Sequence, residues 1–436
     1  MVTAAENDRL TRVGPGTPMG TMFRRYWLPV ATSAQLPEPD GDPLRLRLLG
    51  EDLVAFRDTA GRVGLLDELC MHRRVSLALG RVENGGIRCL YHGWKFGADG
   101  TVQETPNFCD DAFRARLRAP AYPVREAGGL IWAYLGPKDQ EPPFRHHRFM
   151  EGPDANRVVV RVDGRANWLQ LAEGGSDSSH VGVLHADHVK VSAQARLSEN
   201  ESIDLGVMAS EDNAPDLDIV DADWGYFYAA KRAVAKTAAG EDAWSIRVTT
   251  FIFPSGRIIP SQGSFEYHLF EIPQDDEHTS TFIVCHGDEP ADHDQVVAVL
   301  GLSDPRFWNE RDCAFRVSWE DGLGQDRARM RRGESFAGYS GIEQEDMVLA
   351  YSQGPIVDRT KEMLVPADRA VVHMRRRLLE SLRRMEAGGE PIGLSSADLR
   401  KVRALIDTTV ARSADWTSLV PDNKPLGRTP KVPEPA

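Results

Sequence analysis

Cys70-Met71-His72 and Cys89-Leu90-Tyr91-His92 each set one cysteine beside one histidine, and sixteen residues separate the two groups. Thiolate sulfur and neutral imidazole nitrogen are good donors to transition metals. Two of each are the ligand set of a [2Fe–2S] centre in which both imidazoles serve one iron. Exchanging two thiolates for neutral ligands raises the reduction potential, so such a cluster accepts an electron and passes it on. A structural zinc site uses the same donor types, but zinc fingers group cysteine with cysteine and histidine with histidine. Here each half mixes the two. Gly93 permits a tight backbone turn after His92. Trp94 and Phe96 are suited to excluding water, and Arg73 to contacting the ligands from behind.

A second constellation lies further along. The run Asn167-Trp168-Leu169-Gln170-Leu171-Ala172-Glu173-Gly174-Gly175-Ser176-Asp177-Ser178-Ser179-His180 is followed by His185. Two imidazoles and one carboxylate make a facial triad that leaves positions open for O2 on Fe(II). A spacing of five does not place two histidines on one face of a straight helix. A kink near Gly182 or a turn before His185 is therefore expected. Asp177, three residues before His180, would share a helix face with it and orient the imidazole. His188 follows the motif without a partner of its own and is set aside. The carboxylate must come from elsewhere. A helix-like segment from Gly341 to Gln353, closed by Gly354-Pro355, offers Glu343, Glu345 and Asp346. Chemistry alone does not choose among them, and Asp312, Asp321 and Asp326 are weaker rivals.

Around the first motif the pattern is that of an all-β domain. Leu44–Leu49 and Asp52–Phe56 form one hairpin, Asp58–Gly61 turns into Val63–Leu66, and Ala98-Asp99-Gly100 is a hairpin turn. Leu130–Leu135 is a further strand between Gly128-Gly129 and Gly136-Pro137. Trp244–Ile252 and Phe265–Ile272 read as strands of a second domain. Val371, Met374, Leu378, Leu382 and Met385 recur at helical spacing. The Asp-rich stretch 211–223 reads as a solvated loop or lid. The tail from Pro421, with five prolines in sixteen residues, reads as extended or disordered.

The chain has 436 residues, enough for two domains, and its composition is that of an ordinary globular protein, 41% hydrophobic and 27% charged. A net charge of −13 disfavours nucleic acid and anionic membranes as partners. There is no apolar leader and no run of about 20 apolar residues, so a cytoplasmic protein is expected. An odd count of five cysteines argues against a disulfide framework, and Cys109, Cys285 and Cys313 read as buried small hydrophobes.

On these residues the chain resembles the α-subunits of the Rieske ring-hydroxylating oxygenases, in the branch of phthalate dioxygenase and the aryl-ether O-demethylases. The likeness begins at Asn7–Arg12 and Tyr26-Trp27, passes through both motifs, and ends at Gln353-Gly354-Pro355-Ile356-Val357-Asp358-Arg359. Met71 departs from it, standing where the family often has proline. The resemblance implies an α+β protein. An N-terminal all-β Rieske [2Fe–2S] domain over 41–150 would be followed by a catalytic domain over 151–420, with a curved antiparallel sheet and helices around a mononuclear iron. Residues 1–40 would pack on the catalytic domain, and 421–436 would form the tail. It further implies that Cys70, His72, Cys89 and His92 hold the cluster, that His180, His185 and Asp346 hold Fe(II), and that Asp177 bridges the cluster of one subunit to the iron of the next in a trimer or stacked trimers.

The activity implied is O2-dependent hydroxylation of an aromatic substrate, by cis-dihydroxylation, monooxygenation or O-demethylation. No flavin or nicotinamide fingerprint is visible, so electrons from NAD(P)H must arrive through a separate reductase or ferredoxin. A Rieske electron carrier without oxygenase activity is the alternative, and the long chain beyond the cluster domain, with its own His/Asp motif, argues against it. The branch points to aromatic carboxylates, which favour recognition by an arginine fork. Arg247, inside the apolar strand Trp244–Ile252, is the candidate anchor; an ion pair with an acidic residue is its competing role. Arg257, expected on a turn, and Lys231 and Arg232 rank below it.

Overall fold

A computed structural model describes residues 2–188, 212–234, 240–260 and 265–428, which fall into two compact units. The first spans Arg12–Phe144 with Ile272–Asp276. Its strands form three small antiparallel sheets. β1 (Trp27–Thr32), β9 (Val124–Ala127) and β10 (Leu130–Tyr134) make one, with β10 central. β2 (Leu44–Leu48), β3 (Glu51–Arg57) and β4 (Val63–Asp67) make a meander. β5 (Arg81–Glu83), β6 (Gly86–Arg88), β7 (Lys95–Phe96) and β8 (Val102–Glu104) make the third. The β2–β3 hairpin turns on Leu49 and Gly50, both at positive φ, which matches the right-handed twist of the flanking strands. Val54, Phe56, Leu66, Leu77, Ile87 and Phe96 share one core with Cys70, Cys89 and Trp94.

The boundaries differ from those expected. Only Met1–Thr11 group with the second unit. Residues from Arg12 onward belong to the first because β1 hydrogen-bonds along β10, Trp27 opposite Tyr134.

The second unit is built on a nine-stranded antiparallel sheet. Its order is β12 (Arg157–Gly164), β18 (Thr279–Gly287), β17 (Phe265–Pro273), β16 (Gly256–Pro260), β15 (Ala243–Ile252), β14 (Gly225–Val234), β13 (Asp216–Ala222) and β21 (Gly427–Arg428), with β20 (Leu405–Ala411) also paired to β15. The sheet alternates strictly. Ile246, Val248 and Ile252 of β15 enter one core with Phe227 and Trp416. Thr249, between them, faces the other way and lies opposite Tyr228.

Two expectations are corrected here. Within 211–223 the described residues are mostly strand β13, not a loop or lid. Its aspartates are engaged: Asp218 accepts from Trp416 Nε1 at 2.8 Å, Asp221 meets His373 at 2.9 Å, and Asp216 meets Lys231 at 3.0 Å. The start of the Pro-rich tail is ordered, since buried Asn423 exchanges two 2.9 Å hydrogen bonds with the Arg403 backbone and β21 pairs with β13. No helix among the described residues is long and apolar enough to cross a membrane.

Five helices matter for the site: α1 (Ala4–Thr11), α2 (Trp168–Gly175), α3 (Val181–Leu184), α4 (Ile342–Ser352) and α5 (Arg369–Glu386). α2 is held by polar residues three apart, which therefore share a face. Asn167 caps the helix at Leu169 N and donates to Thr11 O at 2.9 Å. Gln170 donates to Ala350 O and Gly354 O and accepts from Val357 N, at 2.9–3.0 Å. Glu173 receives Arg359 in a two-pronged pair at 2.8 and 2.9 Å and Arg375 at 2.6 Å. Arg375 in turn grips Glu362. Burial pushes the Glu173 carboxyl up, but the two guanidinium groups outweigh it and leave it below the usual carboxylate range.

Removing one member of a buried charge network strands its partners and costs about 3–5 kcal/mol. Glu173→Ala should therefore lower the denaturation midpoint of the catalytic unit by that equivalent. Because the folded carboxyl is held below its unfolded pKa of about 4.3, its stabilisation is complete above that pH and is lost as the pH falls through the lower folded value. Glu173→Gln should remove that acid-side loss. An unchanged midpoint for Glu173→Ala, in urea at neutral pH, would show that the network does not hold α2.

Candidate metal centres

The two halves of the first motif fold into loops of matching design. In each, the cysteine carbonyl accepts from the amide four residues on (Arg74 at 2.8 Å, Gly93 at 3.0 Å), and the cysteine amide donates to the carbonyl five residues on (Val75 at 2.9 Å, Trp94 at 2.8 Å). The fourth residue takes positive φ in both: Gly93 without strain, Arg74 at a cost. The loops bring Cys70 beside Cys89, both buried. Burial, then the neighbouring Cys89, pushes the Cys70 thiol up to about 11. Two thiols crowded in this way yield their protons to a metal cation. The rings of His72 and His92 stand 4.6 Å apart, and Trp94 stacks on His72 at 4.8 Å, held by Asn107 at 2.7 Å. His92 Nδ1 is buried without a hydrogen-bond partner among the described residues, the state expected of a nitrogen reserved for a metal. The donor set fits a [2Fe–2S] cluster. Arg73 lies over Tyr91, 5.4 Å from the ring centre, and its charge also acts on His72. Of the other cysteines, Cys285 and Cys313 are buried, whereas Cys109 is exposed, against expectation.

The second motif is also gathered. His180 and His185 flank α3, a single helical turn, so residues five apart meet at its ends. Their Nε2 atoms are 3.2 Å apart, and Asp346 Oδ1 from α4 lies 3.7 and 3.4 Å from them. A metal bonded to each at roughly 2.1 Å and right angles would hold adjacent ligand atoms about 3 Å apart, so the group needs only slight contraction.

Each imidazole is backed by a carboxylate on its other nitrogen. Glu345 Oε2, with the side chain fully buried, is 2.6 Å from His185 Nδ1. Asp177 Oδ2 is 3.6 Å from His180 Nδ1, a distance for charge attraction rather than a hydrogen bond. Burial opposes a charged His185, but Asp346 and Glu345 outweigh it and raise its pKa to about 10. The same negative field suits a divalent cation. Burial pushes Asp346 up, and His185 leads the effects that bring it below the usual carboxylate range. Glu343 is buried and pushed up to about 8, with Asp346 reinforcing the effect of burial.

Several expectations change. Asp177 does not share a helix with His180; it lies between α2 and α3, where its Oδ1 accepts from Ser179 N at 2.7 Å in an Asx turn. Burial raises its pKa, but His180 and Ser179 more than reverse this. Glu345 meets His185 at Nδ1, away from the facing Nε2 atoms, a placement that nothing local in the sequence signals. Asp312 and Asp326 are engaged elsewhere, with Arg316 and at a helix N-terminus. His188 Nε2 is 3.9 Å from Glu345, outside the group of ligand atoms.

Arg257 lies in β16 rather than on a turn. It is buried against Glu271 at 2.6 Å and occupies the space a Cβ on Gly175 would need. Tyr228 of β14, not foreseen, and Arg232, which ranked low as a substrate anchor, hold the backbone around Asp177: Tyr228 donates to Ser176 O at 2.9 Å and Arg232 to Ser178 O at 3.0 Å. Arg247 is half-buried and shares the Thr249 face of β15. Among the described residues it forms no ion pair, and it donates to Pro260 O at 3.2 Å.

Comparison with known proteins adds to this geometry. The Rieske [2Fe-2S] domain family matches residues 26–116, and the LigXa C-terminal domain-like family matches residues 133–432. The chain is 36% identical to the phthalate 4,5-dioxygenase oxygenase subunit of Pseudomonas putida, over 95% of this chain and 94% of that one. It is also 36% identical to the 3-chlorobenzoate-3,4-dioxygenase oxygenase subunit of Comamonas testosteroni, over 95% and 97%. To the 5,5'-dehydrodivanillate O-demethylase oxygenase subunit of a Sphingobium species it is 32% identical, over 90% and 83%. Among solved structures, the terminal oxygenase of carbazole 1,9a-dioxygenase from Nocardioides aromaticivorans IC177 shares the fold at 16% identity, with a TM-score of 0.56 over 87% of this chain and 97% of that one.

Protein purified anaerobically should carry about two irons and two acid-labile sulfides per chain in the cluster. His92→Cys should lower its reduction potential, because a thiolate adds negative charge where a neutral imidazole stood. Redox titration followed by visible absorption tests this, and a potential that stays put or rises would remove His92 from the ligand set.

Proposed function

The chain belongs to the Rieske non-haem iron oxygenases as an oxygenase subunit, and from that premise we propose that it hydroxylates a carboxylated aromatic compound at an iron held by His180, His185 and Asp346. An electron carrier without an oxygenase centre would have no use for the LigXa-like region that makes up most of the chain.

The observation that carries the reading is the meeting of three ligand atoms from two separate segments, each imidazole backed by its own carboxylate. Glu345 accepts a hydrogen bond from His185 Nδ1–H and so leaves the Nε2 lone pair for the metal. Asp177 biases His180 in the same sense. Asp346 contributes the negative charge that completes the triad. When bound, the iron supplies O2 activation, with electrons delivered through the cluster. Leu171, Leu269, Ile283 and Met347 belong to one apolar core, against which Leu184 of α3 packs.

The carboxylate preference rests on relatives named for phthalate and 3-chlorobenzoate and on Arg247. Its guanidinium is not spent on an ion pair among the described residues, and it shares a strand face with Thr249, which lies opposite Tyr228, the residue that anchors Ser176. The electron donor in this reading is a separate reductase or ferredoxin. The assembly is a cyclic trimer or a pair of stacked trimers, in which Asp177 lies between the cluster of one subunit and the iron of the next. Exposed Leu90 and Tyr91, beside His92, offer an apolar surface for such a neighbour.

His180→Ala, His185→Ala and Asp346→Ala should each abolish turnover while leaving the cluster spectrum intact. Glu345→Gln should keep the ligands but weaken iron retention by about 10–100-fold. Asp177→Asn should keep both metals and lose most turnover. Iron analysis beside single-turnover assays separates these outcomes, and an active Asp346→Ala beside a dead Glu343→Ala would move the ligand assignment.

Arg247→Met should lose activity on a carboxylated aromatic while retaining it on the matching amide. Loss of a charged hydrogen-bond partner is worth about 1.5–3 kcal/mol, roughly 10–100-fold in kcat/KM. Equal loss on acid and amide would assign Arg247 to structure.

A further inference from the structure

The sheet of the catalytic unit has a second concentration of metal-binding side chains, on the face turned away from His180, His185 and Asp346. Strand alternation places it there. Leu269 of β17 and Ile283 and Cys285 of β18 point into the core that also holds Met347 and Val348 of α4. Glu266 and His268, and His286 on the neighbouring strand, have the opposite parity and point to the other side.

There, one ligand atom from each of Glu266, His268 and His286 lies within 4.8 Å of the others, and Glu266 Oε2 is 3.8 Å from His286 Nε2. His268 is 1% exposed, yet among the described residues neither of its ring nitrogens has a hydrogen-bond partner, and His286 Nε2 has none either. Buried polar atoms are normally satisfied, so three unsatisfied imidazole nitrogens in one place call for a ligand. The surroundings are aromatic. Phe149 packs on His268 at 5.0 Å, and the ring of His147 (β11, His146–His147) stands 6.1 Å from His268 and 5.4 Å from Phe270. Burial, before any neighbouring charge, keeps His268 well below its ordinary pKa and so in the neutral form that ligates metals.

Arginines and carboxylates both line the group, and Arg157 as well as Arg148 acts on His286. Arg148 and Arg403 approach Glu266 Oε2 at 3.2 and 3.5 Å, and Asp288 draws Arg148 at 3.4 Å.

We propose that Glu266, His268 and His286 form a third metal site, separate from the redox centres, that takes a borderline divalent cation such as Zn2+. Two imidazoles and a carboxylate are a common zinc set, and zinc imposes no geometry of its own. Tetrahedral bonds of about 2.1 Å would bring the ligand atoms to roughly 3.4 Å apart, a contraction of about 1 Å or a little more from the widest separation. The metal would pin β17 to β18 behind the strands that enclose the iron.

The test uses the intact holoprotein with its cluster and iron. After equilibration with Zn2+ and desalting, elemental analysis should find one zinc retained per chain and no loss of iron. His268→Gln and His286→Gln should each lose that zinc while keeping iron content, cluster spectrum and turnover. Absence of retained zinc, zinc gained only by displacing iron, or equal retention in parent and both variants would overturn the proposal. If a variant fails to fold, anomalous diffraction at the zinc edge from parent crystals decides instead. A peak between the three side chains supports the site, and a peak elsewhere or none rejects it.

Discussion

A largely buried carboxylate sits between two guanidinium groups in the catalytic unit, and much of the iron-site geometry hangs on it. Glu173 joins Arg359, itself fully buried, to Arg375 of α5. Either charge alone would be too costly to bury, so each holds the other in place. The consequence is positional. Arg359 follows directly on the segment after α4, and Gln170, one turn back on α2, bonds to Ala350 at the end of α4 and to Gly354 beyond it. α2 and α4 are thereby locked together. α2 leads within a few residues to His180, and α4 carries Asp346. Two ligand segments far apart in the chain are thus delivered to one point by contacts that themselves touch no ligand.

Within that frame the ligands are tuned by charge. Asp346 and Glu343 share one face of α4, with Glu271 and Arg257 nearby on the sheet, and Glu345 adjoins Asp346. They cannot all ionise equally at close quarters. Glu343 and Glu271 are pushed up, to about 8 and about 7, whereas Asp346 stays low beside the histidines. Asp346, the carboxylate that faces the two Nε2 atoms, is thus the one whose charged form is favoured. Gly175 belongs to the same arrangement, since any Cβ there would collide with the guanidinium of Arg257. The cluster loops solve a different problem. Their paired carbonyl and amide bonds set two cysteines into the core and leave two histidines near the surface, a polarity that suits electrons arriving from outside.

Much of this was legible in the sequence, where chemistry and spacing coincide. Cysteine next to histidine, twice, names a ligand set because few other roles need both donors so close. The Trp244–Ile252 and Phe265–Ile272 strands and the helix through Val371 and Leu382 follow from apolar periodicity, which local sequence carries directly. Misreadings arose where composition stood in for contacts. The aspartates of 212–223 looked solvated, yet their partners Trp416, His373 and Lys231 lie elsewhere in the chain, and those pairs make a strand possible. Asn423 escaped for the same reason, as its two bonds run to the Arg403 backbone.

What the sequence by itself determined is the inventory: which donors exist, which short segments carry them, and which segments alternate as strands. What only the tertiary structure decided is their partnership. That Glu345 would back His185 while its neighbour Asp346 turns to the Nε2 atoms depends on the rotation of α4 about its axis. That rotation is set by packing against α2 and the sheet, not by anything in α4 alone. Adjacent residues on a helix point about 100° apart. A turn of that size would put one in the other's place, and only the long-range contacts of the fold fix the angle.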